Sequence, residues 1–164
     1  VRSLVGSEMC IRDRFRPNVY NTDLFESVRN IHVGIDIGGP VGTPCMAFME
    51  GKIFDFGYNP AAGDYGNVVI TEHIISSVKI WSLYGHLDSQ SIINKNKGQF
   101  IEKGEVIGFF GDESENGGWE PHLHFQLSVI EPETHDLPGV VSIEDRKSAL
   151  LKFPDPRLVL GPIY

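Results

Sequence analysis

Residues 121–126 read PHLHFQ, and the rest of the chain is organised around this stretch. Its apolar and polar residues alternate, which is the pattern of a β-strand. Residues two apart in a strand point to the same face, so His122 and His124 should lie side by side, about 6–7 Å apart at their Cα atoms. Such a pair can hold a divalent metal, or place one metal ligand beside one proton-transfer group. A half-buried strand with two surface histidines has the same pattern, so other segments must decide between these interpretations.

The composition indicates one ordinary globular domain. The chain has 164 residues, of which 41% are hydrophobic and 22% are charged, and this length is enough for a proper core. No apolar run approaches the roughly 20 residues that a membrane-spanning helix needs. The net charge is −8 and the Lys and Arg residues form no cluster, which argues against nucleic acid or an anionic membrane as a partner. Nothing in the sequence indicates the oligomeric state.

Residues 1–14 differ in character from the rest of the chain. Their main part, LVGSEMCIRDR at positions 4–14, resembles the in-frame translation of a sequencing adapter. We therefore predict that residues 1–14 are a read artefact rather than evolved protein, and that residues 15–30 are a lead-in segment. On that interpretation the native N-terminus is missing and Cys10 is not native. Cys45 alone cannot form an internal disulfide, so the cysteines say little about the compartment.

Residues 31–130 are expected to form the functional domain, with a mainly β fold. Many short β-prone segments separated by glycine-marked turns predict an antiparallel sheet or sandwich. A hairpin-like turn is expected at residues 50–51, between strands at 46–48 and 52–56, and another tight turn is expected at residues 103–104. The last strand is expected at residues 122–129.

Residues 131–164 are expected to form a proline-rich tail with one short helix. Ser142 would be the N-cap, Asp145 would occupy the capping-box position, and the helix would end near Lys152, before Pro154. Among the side chains outside the motifs, we expect His73 and His135 on the surface and Trp81 and Phe109 in the core. Trp119 could belong to the core or to a substrate surface, since it borders the histidine motif.

Residues 31–37, IHVGIDI, also alternate like a strand, with His32, Gly34 and Asp36 on one face. Four residues of ideal strand separate two Cα atoms by roughly 13 Å. Zinc bonds to histidine nitrogen and carboxylate oxygen are only about 2.0–2.2 Å long. If His32 and Asp36 bind one ion, the strand must bend between them, and Gly34 is where a bend costs least.

Five polar side chains stand in three separated strand-like segments: His32, Asp36, His86, His122 and His124. Two histidines and one carboxylate, together with water, are a known catalytic zinc set. The two histidines left over suit proton transfer or the stabilisation of an oxyanion. Because zinc activates water and polarises carbonyl groups, this spacing predicts a hydrolase for an amide or similar bond.

Three motifs in this order resemble those of the lysostaphin-type (LytM-like) zinc metallopeptidases: HVGID at 32–36, YGHL at 84–87 and HLHF at 122–125. Residues 42–44, 51–52 and 103–108 are similar too, so the match covers about residues 31–127.

The resemblance implies a role for each of the five side chains. One zinc ion per chain would be bound by His32, Asp36 and His124. His122 would be the general base on the zinc-bound water, and His86 would hold the water or the developing oxyanion. The last two roles could be exchanged. The implied activity is that of a zinc endopeptidase acting on the peptide cross-links of peptidoglycan.

The sequence departs from the family at residues 117–121, GGWEP. Together with residues 112–114 and 136–140, this variant resembles a branch in which a peptidase-like segment is joined to phosphotransferase and class III aminotransferase domains. That branch would imply a cytoplasmic multidomain enzyme with another substrate, whereas peptidoglycan would imply the cell envelope. A second alternative is a catalytically inactive binding or activator module. Inactive members typically lose metal ligands, but every ligand position is filled here.

Overall fold

The structure, a computed structural model, describes residues 3–4 and 29–162. Every strand pairing in the described part is antiparallel, so the predicted fold class is confirmed. The strands are β1 (Ser3–Leu4), β2 (Arg29–His32), β3 (Ile35–Gly38), β4 (Pro44–Met46), β5 (Gly51–Asn59), β6 (Gly66–Ile75), β7 (Val78–Leu87), β8 (Phe100–Ile101), β9 (Val106–Phe109), β10 (His122–Ser128) and β11 (Val140–Ser142). The helices are α1 (Arg146–Lys152) and α2 (Arg157–Leu160), and Ser89–Ile92 forms one 3₁₀ turn. Neither α1 nor α2 has the length that crossing a membrane would require.

The strand order brings the three histidine motifs together. The large sheet has the order β1-β3-β10-β7-β6-β5-β8, and two small sheets are formed by β11 with β2 and by β4 with β9. Strand β10 lies between β3 and β7, so that His124 is opposite Asp36 on one side and opposite Gly85 on the other. Segments that are far apart in the sequence therefore meet at one end of three neighbouring strands.

Alternate residues of strand β10 face the hydrophobic core and the cleft that contains the histidines. Leu123, Phe125 and Leu127 belong to the main hydrophobic core, whereas His122 and His124 line a cleft. Because alternate residues of a strand point to opposite faces, the same seven residues serve packing and chemistry. The alternation predicted for this segment is confirmed.

The predicted bend at Gly34 is present. Strand β2 ends at His32, β3 begins at Ile35, and Gly34 has a φ of +100°. A Cβ atom at Gly34 would lie 2.8 Å from the carbonyl oxygen of Phe125 and 2.9 Å from Nε2 of His124. Glycine is therefore needed both for the backbone conformation and for the close approach of β10.

Gly34→Ala is expected to lower the free energy of unfolding by about 2–5 kcal/mol, from left-handed strain and overpacking together. Gly42 is a matched control, because its φ is +77° and a Cβ there meets nothing within 4 Å. Gly42→Ala should cost only the backbone strain, about 1–2 kcal/mol. Chemical denaturation of both variants checks the difference, and equal losses would show that the contact with β10 is unimportant.

The predicted hairpin around residues 50–51 is wrong. Strand β4 pairs with β9, and β5 pairs with β6 and β8, so the chain passes from one sheet to another at this turn. The turn at Lys103–Gly104 is tight, since Glu105 N donates to Glu102 O at 3.1 Å, but it also joins strands of different sheets. Turn residues act locally, whereas the choice of a pairing partner depends on distant segments.

The tail contributes a strand as well as helices. Strand β11 pairs with β2, with Val140 opposite His32, so β10 is not the last strand as predicted. Helix α1 ends at Lys152 as expected but begins at Arg146 with Asp145 as its N-cap. Ser142 Oγ lies 2.9 Å from Asp145 Oδ2, so this pair is in contact but caps the preceding turn instead of the helix.

Two of the side-chain predictions are wrong. His73 is only 1% exposed because β6 is an interior strand covered on both faces. Its Nε2 lies 2.7 Å from Thr71 Oγ1 and its Nδ1 lies 2.9 Å from Glu50 O, while burial lowers the pKa of the imidazole. Phe109 is 40% exposed, since β9 belongs to a small outer sheet, whereas Trp81 is buried as predicted.

The segment boundaries stay predictions. Ser3–Leu4 pairs with Asp36 and Ile37 at the edge of β3, and the rest of residues 1–14 lies outside the described residues. Of the predicted lead-in segment, only residues 29 and 30 are described, and they begin β2. The division at residue 131 is likewise a prediction.

Candidate metal centre and catalytic cleft

Three side chains converge where β2, β3 and β10 meet. Nε2 of His32 lies 3.2 Å from Oδ1 of Asp36, and Nδ1 of His124 lies 3.0 Å from the same oxygen. The two histidine nitrogens are 3.1 Å apart. Among the histidine, cysteine and acidic side chains of the described residues, these three lie close enough together to hold a metal ion.

The donor set fits a zinc ion. Tetrahedral zinc with bonds of about 2.0–2.1 Å places its ligand atoms roughly 3.3 Å apart, close to the three distances between these atoms. Hydrogen bonds among these three ligand atoms cannot satisfy all of them at once. If both nitrogens donate to Asp36, two N–H groups face each other; if one is unprotonated, its lone pair faces the carboxylate. A cation at the centre accepts all three lone pairs at once.

The electrostatics favour the ligand forms of Asp36 and His124. Burial works to raise the pKa of Asp36, but the charge of His32 and hydrogen bonds with His124 and His32 hold it well below its usual value. Burial works to lower the pKa of His32, but the charge and hydrogen bond of Asp36 raise it. His124 has a lowered pKa, chiefly because of its burial. An ionised carboxylate beside a neutral imidazole is what a metal site requires.

Gln126 fixes the orientation of His124. Its Oε1 lies 3.1 Å from Nε2 of His124 and accepts a hydrogen bond from the N–H group there, which leaves Nδ1 unprotonated for a metal. The hydroxyl of Tyr65 lies 3.4 Å from the same Oε1. The sequence prediction includes neither residue. For Gln126 the signal was available, because it continues the same face of β10 two residues after His124.

Gln126→Leu is expected to weaken zinc binding about 10–100-fold, because the tautomer of His124 is then no longer fixed. Competition with a chromophoric chelator measures the affinity. Ser128→Ala is the matched control: Ser128 is buried on the same strand, but its hydroxyl bonds to Ile130 O, outside the cleft. Equal zinc affinities in the wild type and in Gln126→Leu would contradict the assigned role.

The other two histidines share a different hydrogen-bond pattern. Nδ1 of His122 donates to Glu120 O at 2.6 Å, and Nδ1 of His86 donates to Asn116 O at 2.8 Å. In the neutral rings, Nε2 is therefore the nitrogen that can exchange a proton or accept a hydrogen bond. The ring centroids are 4.2 Å apart, and Nε2 of His122 lies 4.0 Å from Oδ1 of Asp36.

His86 is the more constrained of the two. It is 5% exposed and has a φ of +63°, a left-handed conformation that costs a residue with a side chain about 1–3 kcal/mol. Burial holds its pKa well below the usual value, helped by His122 and His124. This imidazole is therefore neutral at ordinary pH.

The five predicted residues all lie in one cleft of about 360 Å³. Its other walls are formed by residues 61–65, by Trp119 and by residues 136–140. Trp119 is thus a half-buried cleft residue, and the tail contributes part of the site. The structure brings the five side chains together, while their individual roles stay predictions.

A family model described as Peptidase family M23 matches residues 30–136. The chain is 35% identical over 99 residues to the DD-carboxypeptidase/endopeptidase Mpg of Neisseria meningitidis serogroup B, covering 60% of this chain and 20% of that protein. It is 34% identical over 98 residues to the peptidoglycan DD-endopeptidase ShyA of Vibrio cholerae, with 60% and 20% covered. Lysostaphin of Staphylococcus staphylolyticus is 34% identical over 99 residues, with 60% and 19% covered. The chain spans about a fifth of the length of these relatives.

Among solved structures, a variant of the catalytic domain of the prophage-encoded M23 protein EnpA from Enterococcus faecalis has the same fold. The TM-score is 0.52 at 23% identity, covering 86% of this chain and 88% of that one.

Proposed function

Since the chain belongs to peptidase family M23, we propose that it is a zinc-dependent endopeptidase that hydrolyses peptide bonds in peptidoglycan cross-links. The observation that carries the proposal is the set of three ligand atoms within 4.8 Å of one another, beside two histidines that are not ligands. The relatives named as peptidoglycan or DD-endopeptidases support the substrate class. The resemblance to the lysostaphin-type peptidases agrees with this family.

His32, Asp36 and His124 would hold the metal, in keeping with the zinc dependence of the family. A zinc ion bound there would lower the pKa of a water molecule and polarise the scissile carbonyl group. Asp36 keeps its negative charge because its pKa is held low, and His124 keeps Nδ1 free through its bond to Gln126.

His122 is the candidate general base. Its Nδ1 proton is committed to the carbonyl of Glu120, so the lone pair on Nε2 is available at 4.0 Å from a ligand atom of Asp36. From there Nε2 would take a proton from the attacking water and later deliver it to the leaving amine. The carbonyl of Glu120 would stabilise the imidazolium formed in between by accepting from Nδ1.

His86 is better suited to orient the water than to take its proton. Its Nδ1 also donates to a carbonyl, so Nε2 can accept a hydrogen bond from the water but cannot donate to an oxyanion while the ring is neutral. Burial lowers the pKa of His86, which makes a positive charge on this ring costly. The ring centroids of His86 and His122 are 4.2 Å apart, so both side chains would lie close to the same water molecule.

Incubation of the zinc-loaded protein with purified cross-linked peptidoglycan tests the proposal. Mass spectrometry of the products should show cleaved cross-links with new amino groups. Removal of zinc by a chelator should stop the cleavage, and added zinc should restore it. Binding of the wall polymer without any cleavage by the zinc-loaded protein would contradict the proposal and favour an inactive binding module.

A further inference from the structure

Asn116 is fully buried, and it is hydrogen-bonded to His86 and to the backbone of Trp119, three residues before His122. Its hydrogen-bonding groups are all used. Its Nδ2 donates to Gly111 O at 3.2 Å and to Trp119 O at 2.8 Å, and its Oδ1 accepts from the N–H groups of Gly118 and Trp119. Its backbone N–H donates to Asp112 O. An amide satisfied to this degree fixes every segment that it touches.

The hydrogen bonds of Asn116 form two sets, and the first is a closed ring of three bonds that holds His86. Nδ1 of His86 donates to Asn116 O at 2.8 Å, Nδ2 of Asn116 donates to Gly111 O, and Gly111 N donates to His86 O at 3.0 Å. These bonds involve both the imidazole ring and the backbone carbonyl of His86. They therefore hold the residue in its left-handed conformation and in the Nδ1–H tautomer.

The second set of hydrogen bonds connects Asn116 to His122 through Trp119 and Glu120. The side chain of Asn116 binds both the N–H and the carbonyl of Trp119, at 2.9 and 2.8 Å. This bidentate contact fixes the chain immediately before Glu120, whose carbonyl accepts the Nδ1 proton of His122. The position and tautomer of His122 therefore depend on the same amide that holds His86.

The sequence around Asn116 is suited to this arrangement. Gly117 and Gly118 have φ values of +90° and +87°, which lets the chain wrap around the amide. A Cβ at Gly117 would lie 1.9 Å from Asp64 O, and one at Gly66 would lie 2.7 Å from the Cα of Asn116. Neither glycine could therefore carry a side chain without displacing the backbone around Asn116.

We propose that Asn116 is a positioning residue that sets the spacing and the tautomers of both His86 and His122. The expected effect on kcat rests on the proposed peptidase function, whereas the expected effect on the two histidine tautomers does not. Asn116 does not touch the metal ligands through any of these bonds. Its loss should therefore disturb the two free histidines while zinc stays bound.

Nuclear magnetic resonance of the imidazole nitrogens in the zinc-loaded full chain tests the proposal. In the wild type, His86 and His122 should each show the Nδ1–H tautomer alone. In Asn116→Ala, both rings should show mixed tautomers, and kcat should fall about 10–100-fold with unchanged zinc content. Asn116→Asp keeps the volume and the acceptor but loses both donors, so it should change both rings in the same direction even if the alanine variant does not fold.

Thr71→Val is the matched control. It breaks a buried polar contact on β6, since Thr71 Oγ1 lies 2.6 Å from Ser82 Oγ, but it lies outside the cleft. It should lower the melting temperature without changing the two imidazole spectra or kcat. Unchanged tautomers of His122 in both Asn116 variants would overturn the proposal, as would an unchanged kcat. A wild-type protein that cleaves no cross-link would contradict the proposed function, while the spectra would still decide the role of Asn116.

Discussion

His122→Ala is expected to lower kcat for peptide hydrolysis about 10²–10⁴-fold, because the group that takes the proton from water is removed. Zinc content should be unchanged, since Nε2 of His122 is 4.0 Å from Asp36 and lies outside the ligand triangle. Steady-state kinetics on a small Gly- or D-Ala-containing peptide, with metal analysis of the same sample, measure both quantities.

His135→Ala is the control for this prediction. The ring of His135 packs over Gly57, where it occupies the place of a Cβ atom, and it does not line the cleft. Its removal should leave kcat unchanged. A nearly normal kcat for His122→Ala, together with a severe loss for His86→Ala, would show that the two histidines have exchanged roles.

His124→Ala is expected to abolish stoichiometric zinc binding, with a loss of affinity of more than about 100-fold. His124 is 2% exposed and contacts both other ligands, so its removal takes away one of the three ligand atoms at the centre of the site. Metal analysis after dialysis measures the loss, and hydrolysis should disappear with the zinc.

The metal should also stabilise the fold, because the ligand triangle joins three strands. Zinc is expected to raise the melting temperature of the wild type but not that of His124→Ala. His122→Ala is the matched variant here, since it removes an imidazole from the same face of β10 and should keep the zinc-dependent shift. Stoichiometric zinc in dialysed His124→Ala would refute the ligand assignment.

The sequence alone predicted those features that depend on the residue spacing within one strand. The alternation at residues 121–126 correctly separates the core face of β10 from the cleft face. The conflict between strand spacing and metal bond lengths correctly predicts a break at Gly34. These inferences depend only on the geometry of one strand, which neighbouring segments do not change.

Features that depend on contacts between distant segments could not be predicted in the same way. The pairing of β4 with β9, the burial of His73 and the strand at Val140–Ser142 all depend on which strands become neighbours. Tyr65 stands in a glycine-rich loop, with no periodic pattern to mark it as a cleft residue. Asn116 reads as part of a polar surface loop until its six hydrogen bonds are known.

Zinc K-edge X-ray absorption of the purified, zinc-loaded protein tests the central claim most directly. Two imidazole nitrogens, one carboxylate oxygen and one further light atom are predicted at about 2.0–2.2 Å, and no sulfur at about 2.3 Å. Cys45 is buried in the main core, apart from the three ligands. A sulfur in the first shell, or a spectrum without imidazole scattering, would contradict the assignment of His32, Asp36 and His124.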